Sequence, residues 1–398
     1  MEEITLSVMR NTDQTELALR RVLDAFEAQH RVHVNLQMLL WPEARQQVKQ
    51  YALHQHGPDV SVMATTWVAD LIAMNALQPL KEPLTGAALC RPEDFIAAAW
   101  DTTLDAGREQ SYAAPWLVDT YVIHYRRDLL AKAGLDPARA FASLEQIDKT
   151  VRALSQAGAP VPIQLPYAYD RFCTLHTLAA WVWGRGGEFC TADGKRVLFD
   201  QPEALEGIRA FFRLARHLSP AAREQVAGSQ SGSLFRDGRA ALAFGTLSFQ
   251  YDPETIQPEV LDQWGVAPLP GPHFVGGVNL VAWRYSLRRQ ASLDLIRYLN
   301  RPDVALHCAQ AMLTSPAQLA VLEGPAYSGD PTLSVISASA RSGRSYPPVP
   351  LWGLIEDRLT ETLAAVGEKA LATGHADDML VKAIQATAKR LNITLESL

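Results

Sequence analysis

The stretch GPDVSVMATTWVADLIAMNALQPL, residues 57–80, decides the fold. Asp59 to Met63 is short, apolar and rich in β-branched residues, bounded in front by Gly57-Pro58, and so reads as a strand. It ends in Ala64-Thr65-Thr66-Trp67, and residues 67–76 then read as a helix closing on Leu77-Gln78-Pro79-Leu80. A strand that runs straight into a helix through a polar, aromatic turn is half of a parallel βαβ unit. The preceding sequence supplies the rest. Ile4 to Met9 alternates as a strand and a polar loop follows, Arg10-Asn11-Thr12-Asp13-Gln14. From Thr15 to Gln29, Leu19, Val22, Leu23 and Phe26 recur at helical spacing. Val32 to Leu39 is a second strand and residues 43–56 a second helix. The β-α-β-α-β-α order predicts an α/β fold with a mainly parallel sheet flanked by helices.

A chain of 398 residues is too long for one ordinary core, which predicts two domains. Hydrophobic residues make up 48% and charged residues 20%, the composition of a globular protein. A net charge of −6 without a basic run argues against a binder of the phosphate backbone, so no nucleic-acid partner is expected. No apolar run reaches the roughly 18 residues of a membrane span. The N-terminus enters a strand directly, with no basic n-region, apolar h-region or cleavage site. That leaves two readings open, a cytoplasmic chain or one whose leader was removed. Cys90, Cys173, Cys190 and Cys308 are spread without a CxxC pair, so no zinc site is expected. A Cys173–Cys190 disulfide stays open and would imply an oxidising compartment.

Downstream, Thr120 to Tyr125 reads as a strand and Asp128 opens a short helix that stops at Gly134. Helices are expected near 143–157, 174–184, 202–217, 232–239 and 290–299, with strands near 240–245 and 278–283. From about 302 the chain reads as helical, broken by the Gly/Ser/Pro-rich span 324–350. Ligands of open α/β sheets gather beyond the carboxyl ends of strands. The loops so placed are Arg10 to Gln14, Leu40-Trp41, Ala64 to Trp67 and Gly245 to Phe249. Their Trp, Asn, Asp, Thr and Gln suit a neutral hydroxylated ligand: aromatic faces cover C–H patches while amides and carboxylates bond hydroxyls. No Gly-rich phosphate loop and no GxSxG elbow occurs. Spacing alone leaves glycosidase chemistry open. His54-Gln55-His56 has no third ligand nearby and reads as a polar helix end, so no metal or other cofactor is expected.

An ordered set of motifs resembles the extracellular solute-binding proteins of bacterial ABC importers, in the carbohydrate group that includes maltose- and trehalose-binding proteins. The set begins with Phe26-Glu27, Gly57-Pro58-Asp59-Val60 and Ala76-Leu77-Gln78-Pro79-Leu80. It continues with Pro115-Trp116 and Asp119, Tyr125-Arg126-Arg127-Asp128-Leu129-Leu130 and Ala133-Gly134-Leu135. Trp183 with Gly186-Gly187-Glu188-Phe189 precedes Asp193-Gly194-Lys195, Phe199-Asp200 and Phe235 to Leu242. Gly276-Gly277, Ala291 to Asn300 and Pro350-Leu351-Trp352-Gly353 close the series.

The resemblance implies two α/β lobes, residues 1–112 plus 273–315 and 113–272 plus 316–398, with hinge crossings near 112–115, 272–277 and 314–318. It implies a ligand cleft between the lobes, a small-molecule carbohydrate ligand, ABC permease subunits as partners, a monomer, and a periplasmic or lipid-anchored extracellular location. It also implies capture without catalysis. A sensing domain of the same fold without transport, or a carbohydrate-active enzyme, are the alternatives.

The ligand-binding residues it implies are Asn11, Asp13 and Gln14 in the first loop, Trp41, Thr66 with Trp67, and Trp116 with Asp119 just past a hinge. Trp352 stands where maltose binders stack a sugar, with Arg344 and Tyr346 in the preceding loop. After Gly245 the expected stacking Trp is replaced by Leu247, leaving Phe249 as its substitute. Gly277, with Gly276, reads as a hinge residue. Asp170, Arg171 and His176 fall near the Glu–aromatic pair that the family carries and this chain lacks, and Arg171 is a candidate to pair a carboxylated ligand.

Overall fold

The computed structural model describes residues 2–397 apart from 82–85, 168–170, 230–231 and 248–255; of Arg171 only the backbone is described. The chain divides into two compact units. Unit 1 is Met1–Asp119, Val275–Leu333 and Ser345–Gly353; unit 2 is Thr120–Phe274, Ser334–Arg344 and Leu354–Leu398.

Unit 1 is built on a six-stranded sheet in the order β2-β1-β3-β8-β4-β9. β1 (Glu2–Met9) pairs in parallel with β2 (Val32–Leu39) along its whole length and with β3 (Val60–Ala64) at Leu6 and Ser7. Between these strands run α1 (Thr15–His30) and α2 (Trp41–His54); α3 (Val68–Ala73) follows a single turn over Thr65–Trp67. Leu19, Val22, Leu23 and Phe26 of α1 are buried, as their spacing predicts. α1 stops at Arg31, whose left-handed backbone (φ 56°) lets its N–H close on Glu27. β8 (Val275–Ala282) runs antiparallel to β3, and β4 (Ala113–Thr120) antiparallel to the short β9 (Ser315–Pro316). The helices Arg289–Leu299 and Pro302–Ala311 bury Leu295, Ile296, Ala305 and Cys308 with Leu6, Val8, Phe26, Val62 and Leu280 in one core.

Unit 2 departs from the mainly parallel sheet expected of each lobe. Its three-stranded sheet, β6-β5-β7, is antiparallel: β5 (Val122–Arg126) pairs antiparallel with both β6 (Leu242–Gly245) and β7 (Trp264–Pro268). Among the described residues of unit 2, parallel pairing appears as single bridges, Val161 to Ala240, Gln164 to Ala243 and Phe274 to Arg344. Strand direction follows from the long connections between these segments, which no local pattern encodes. The core is aromatic. Trp181 lies 4.9 Å from Phe211 and 5.4 Å from Phe244, and Tyr167 lies 4.7 Å from Phe212. The helices Arg171–Trp183 and Pro202–Phe212 approach closely because Gly207 offers no Cβ to strike the Trp181 carbonyl.

The unit boundaries differ from the expected ones in a way the sheet explains. Residues 113–119 belong to unit 1 because β4 is an interior strand of its sheet, and 316–333 follow because β9 pairs with β4. The chain passes between units at 119/120, 274/275, 333/334, 344/345 and 353/354. The four cysteines are free thiols, so the Cys173–Cys190 disulfide does not form. Burial pushes the Cys90, Cys190 and Cys308 thiols up to about 12. Among the described residues no helix is long and apolar enough to cross a membrane.

Candidate functional site

Because β1, β2 and β3 are parallel, their carboxyl ends bring three loops together at one edge of the unit 1 sheet. Trp41 is the first residue of α2. Leu40 ahead of it is extended, and Pro42 occupies the first turn, where its missing N–H costs nothing. The Trp41 indole N–H donates to Asn11 Oδ1 at 2.9 Å, from the loop after β1. Its ring meets Trp67, from the turn after β3, with centroids 6.1 Å apart and planes at 70°. Arg45, one helical turn along from Trp41, places its guanidinium 6.0 Å from the centre of the Trp67 ring. The first loop is itself tied down. Thr12 Oγ1 donates to the Ala311 carbonyl (3.0 Å) and Asn11 Nδ2 to the Met312 carbonyl (3.5 Å). Trp41 keeps 39% of its surface exposed, Trp67 and Thr66 are half-buried, and Asp13 and Gln14 point outward as exposed residues.

Next to this group Asp70 of α3 accepts the Leu351 N–H at 2.8 Å and also the Gly353 N–H, so it caps the helix Trp352–Thr373 from outside. Burial raises its pKa, opposed by the charges of Arg45 and Lys49. A Cβ on Gly353 would meet the ends of the Arg45 and Asp70 side chains, which would have to move aside to admit it.

Three expected ligand contacts are corrected. Trp116 is wholly buried, in the unit 1 core, with its indole N–H donated to the Leu299 carbonyl (3.0 Å). Residues 113–118 of β4 are buried on both faces, so alternation along the strand leaves no open face for a ligand. Trp352 is 1% exposed and its ring is stacked on Tyr346, 4.3 Å away at 23°. Gly277 lies inside β8 at φ 119°, where a Cβ would overlap the Leu117 carbonyl; its role is close packing of strands. Arg344 is engaged by its own unit: Glu188 accepts both of its terminal nitrogens at 3.0 Å, and its guanidinium lies 4.5 Å from the centre of the Trp183 ring. Asp119, at the last position of unit 1, is partly buried, and burial pushes its carboxyl up to about 7. Phe249 and Asp170 lie outside the described residues.

Unit 2 carries an aromatic group of its own. His176 stacks on Phe274 (4.1 Å, 11°) and on Phe172 (6.5 Å, 28°), and Tyr121 leans on both His176 (5.8 Å) and Phe274 (6.3 Å). Burial pushes the His176 imidazole down to about 3, so the group is uncharged at neutral pH. Only His176 was singled out from the sequence. The i, i+4 spacing of Phe172 and His176 was the available signal, whereas Tyr121 and Phe274 join them through the fold. Among the described residues no three His, Cys, Asp or Glu side chains converge as a metal site.

Residues 11–306 match the family model of the bacterial extracellular solute-binding proteins. The diacetylchitobiose-binding protein DasA of Streptomyces coelicolor is 21% identical over 371 residues, 89% of this chain and 82% of that one. Among solved structures, the sugar-binding protein MalE of Xanthomonas citri superposes with a TM-score of 0.81 at 20% identity, covering 99% of this chain and 98% of MalE. A Thermotoga lettingae solute-binding protein, bound with α-D-tagatose, gives 0.79 at 20% identity and covers 99% and 100% of the two chains. These likenesses confirm the fold that the motifs implied, and with the match over most of its length the chain belongs to the bacterial extracellular solute-binding protein family.

Proposed function

We propose that this protein is the receptor of an ABC importer, capturing a sugar or oligosaccharide outside the cytoplasm and handing it, as a monomer and without chemical change, to a membrane permease. The observation that carries the reading is the Asn11–Trp41–Trp67 arrangement, two indoles braced against each other at the carboxyl edge of a parallel sheet. Indole faces cover the C–H faces of sugar rings, and the amides, hydroxyls and carboxyls of Asn11, Asp13, Gln14 and Thr66 suit their hydroxyls. The names of the relatives agree on class: diacetylchitobiose for one, tagatose for another, and ribitol for a third, from Agrobacterium radiobacter. Asp119 of unit 1 is a further candidate contact, and the uncharged Tyr121–Phe172–His176–Phe274 group is the aromatic candidate of unit 2 taken by itself.

Micromolar capture requires about 8 kcal/mol. Burying aromatic surface at roughly 25 cal/mol per Å², with several hydrogen bonds to a ligand, supplies that after ordering costs. A thermal-shift screen of mono- and oligosaccharides, polyols and uronic acids tests the proposal. Carbohydrates should raise the melting temperature in proportion to the logarithm of their concentration. No shift with any of these compounds, with amino acids, peptides or ions run alongside raising the melting temperature instead, would overturn it.

A further inference from the structure

The loop that leaves β8 lies at the end of the unit 1 sheet opposite the Asn11, Trp41 and Trp67 loops, because β8 runs antiparallel to β3. It is held at almost every residue. Trp283 is fully buried; its indole N–H donates to Ser61 Oγ (2.8 Å) and its backbone N–H to the Asp59 carbonyl (3.1 Å). The Arg284 N–H donates to the Ala76 carbonyl (2.8 Å), and Tyr285 stacks on Trp283, centroids 5.4 Å apart and planes at 21°. Ser286 Oγ donates to Asp59 Oδ1 and accepts the Arg288 N–H (3.1 Å). The other Asp59 oxygen accepts the Thr5 N–H, so this carboxylate is taken up in fixing the backbone.

At the tip of this braced loop Leu287 is 89% exposed, more than any other large apolar side chain among the described residues. An exposed leucine is ordinary by itself. This one is held out by fixed neighbours, and three arginines flank it. Arg91, Arg216 and Arg301, also on the surface, each sit within 3 Å of a carboxylate. Among the described residues no carboxylate pairs with Arg284 or Arg289, and Arg288 reaches only Glu2, at 3.7 Å. The buried Nε of Arg289 has no acceptor. The chain is acidic overall, with a net charge of −6, yet this loop carries cations without counterions. A rigid apolar tip among free guanidiniums suits a bilayer surface: the leucine enters the headgroup boundary and the arginines take lipid phosphates. A stable protein interface would need a broader apolar centre than one leucine ringed by arginine.

We infer that residues 284–289 form a docking surface for an anionic lipid bilayer, Leu287 inserting among the headgroups while Arg284, Arg288 and Arg289 contact their phosphates. The inference goes beyond solute capture and holds whichever solute is bound. The test is flotation of the full chain with vesicles of phosphatidylglycerol or of phosphatidylcholine. At roughly a 5-fold gain per arginine, partly offset by Glu2, phosphatidylglycerol should be preferred by about 30-fold or more. The preference should weaken as salt is raised. Leu287→Ser, and Arg284→Gln combined with Arg288→Gln, should each lower binding to phosphatidylglycerol by about 5-fold or more. Leu287→Trp, a stronger interfacial side chain, should keep or raise it. All these variants should keep the wild-type melting temperature, since the altered side chains are exposed. Absence of binding, equal binding to the two lipids, or binding that the variants leave unchanged overturns the inference. Loss of the preference on adding inorganic phosphate at matched ionic strength would assign the arginines to a free anion and overturn it too. Binding of polyglutamate that depends on Arg284 and Arg288 but not on Leu287, without vesicle binding, would assign the loop to an acidic protein instead.

Discussion

Buried titratable groups give single residues opposite pH dependences. Asp119 carries a folded-state pKa of about 7 against an ordinary carboxylate value near 3.8. Its native environment favours the neutral form, so the stability it contributes is complete below the unfolded value and is lost as pH rises through 7. That difference in full would be worth about 4 kcal/mol, but the carboxyl is only partly buried and water reduces this. Asp119→Asn should therefore leave urea stability unchanged at pH 4 and raise it by about 1–2 kcal/mol at pH 8. His124 and His176 act in the other direction, both pushed by burial from 6.5 to about 3. Burial keeps His124 neutral; it accepts the Trp264 N–H at 3.0 Å and lies 3.3 Å from the Gly245 carbonyl, a contact that opposes the shift. Their contribution is present above pH 6.5 and is lost as pH falls toward 3. Replacing His176 with Phe, which preserves the stack on Phe274, should flatten the acid limb of the stability–pH curve; an unchanged limb would show that His176 does not titrate there.

At the scale of elements, β4 and β8 separate what the sequence made legible from what it did not. The β1 to α3 alternation was readable because each strand and helix declares its own period, and the loops at the strand ends followed from it. Asn11, Trp41 and Trp67, the site candidates that the fold brings together, are those whose location depends on this local order. Trp116 was misplaced because Pro115-Trp116 looks like a strand approach. That stretch becomes an interior strand only through β9, some 200 residues later, and through the helix carrying Leu299. Trp352 is buried for a nearer reason: Tyr346 stacks on it from a proline-rich segment with no periodic signal. The distinction has a measurable consequence. Trp116→Ala should cost about 3–5 kcal/mol of stability, as a large core deletion does, whereas Trp67→Ala should cost about 1 kcal/mol and act on ligand binding. Gly277→Ala should destabilise by more than about 2 kcal/mol, because its positive φ and the Leu117 carbonyl both exclude a methyl group. Chemical denaturation of the three variants checks these values.

For the whole molecule, the class of fold and the existence of two units were legible, the first from element order and the second from length and the motif series. The passage at 274/275 falls within the expected 272–277, whereas the other passages between units were not legible, because they are set by which strand completes a sheet. The antiparallel sheet of unit 2 was hidden likewise, its partners lying more than a hundred residues from β5. As a receptor, the molecule is proposed to recognise carbohydrate through the braced indoles of unit 1. Isothermal titration calorimetry of the wild type and Trp67→Ala with the carbohydrate that most raises the melting temperature tests this most directly. Saturable one-to-one binding is expected in the wild type, with a loss of about 30-fold or more in a variant that is folded, the effect of removing a central aromatic anchor. Equal affinity in the two proteins would contradict it.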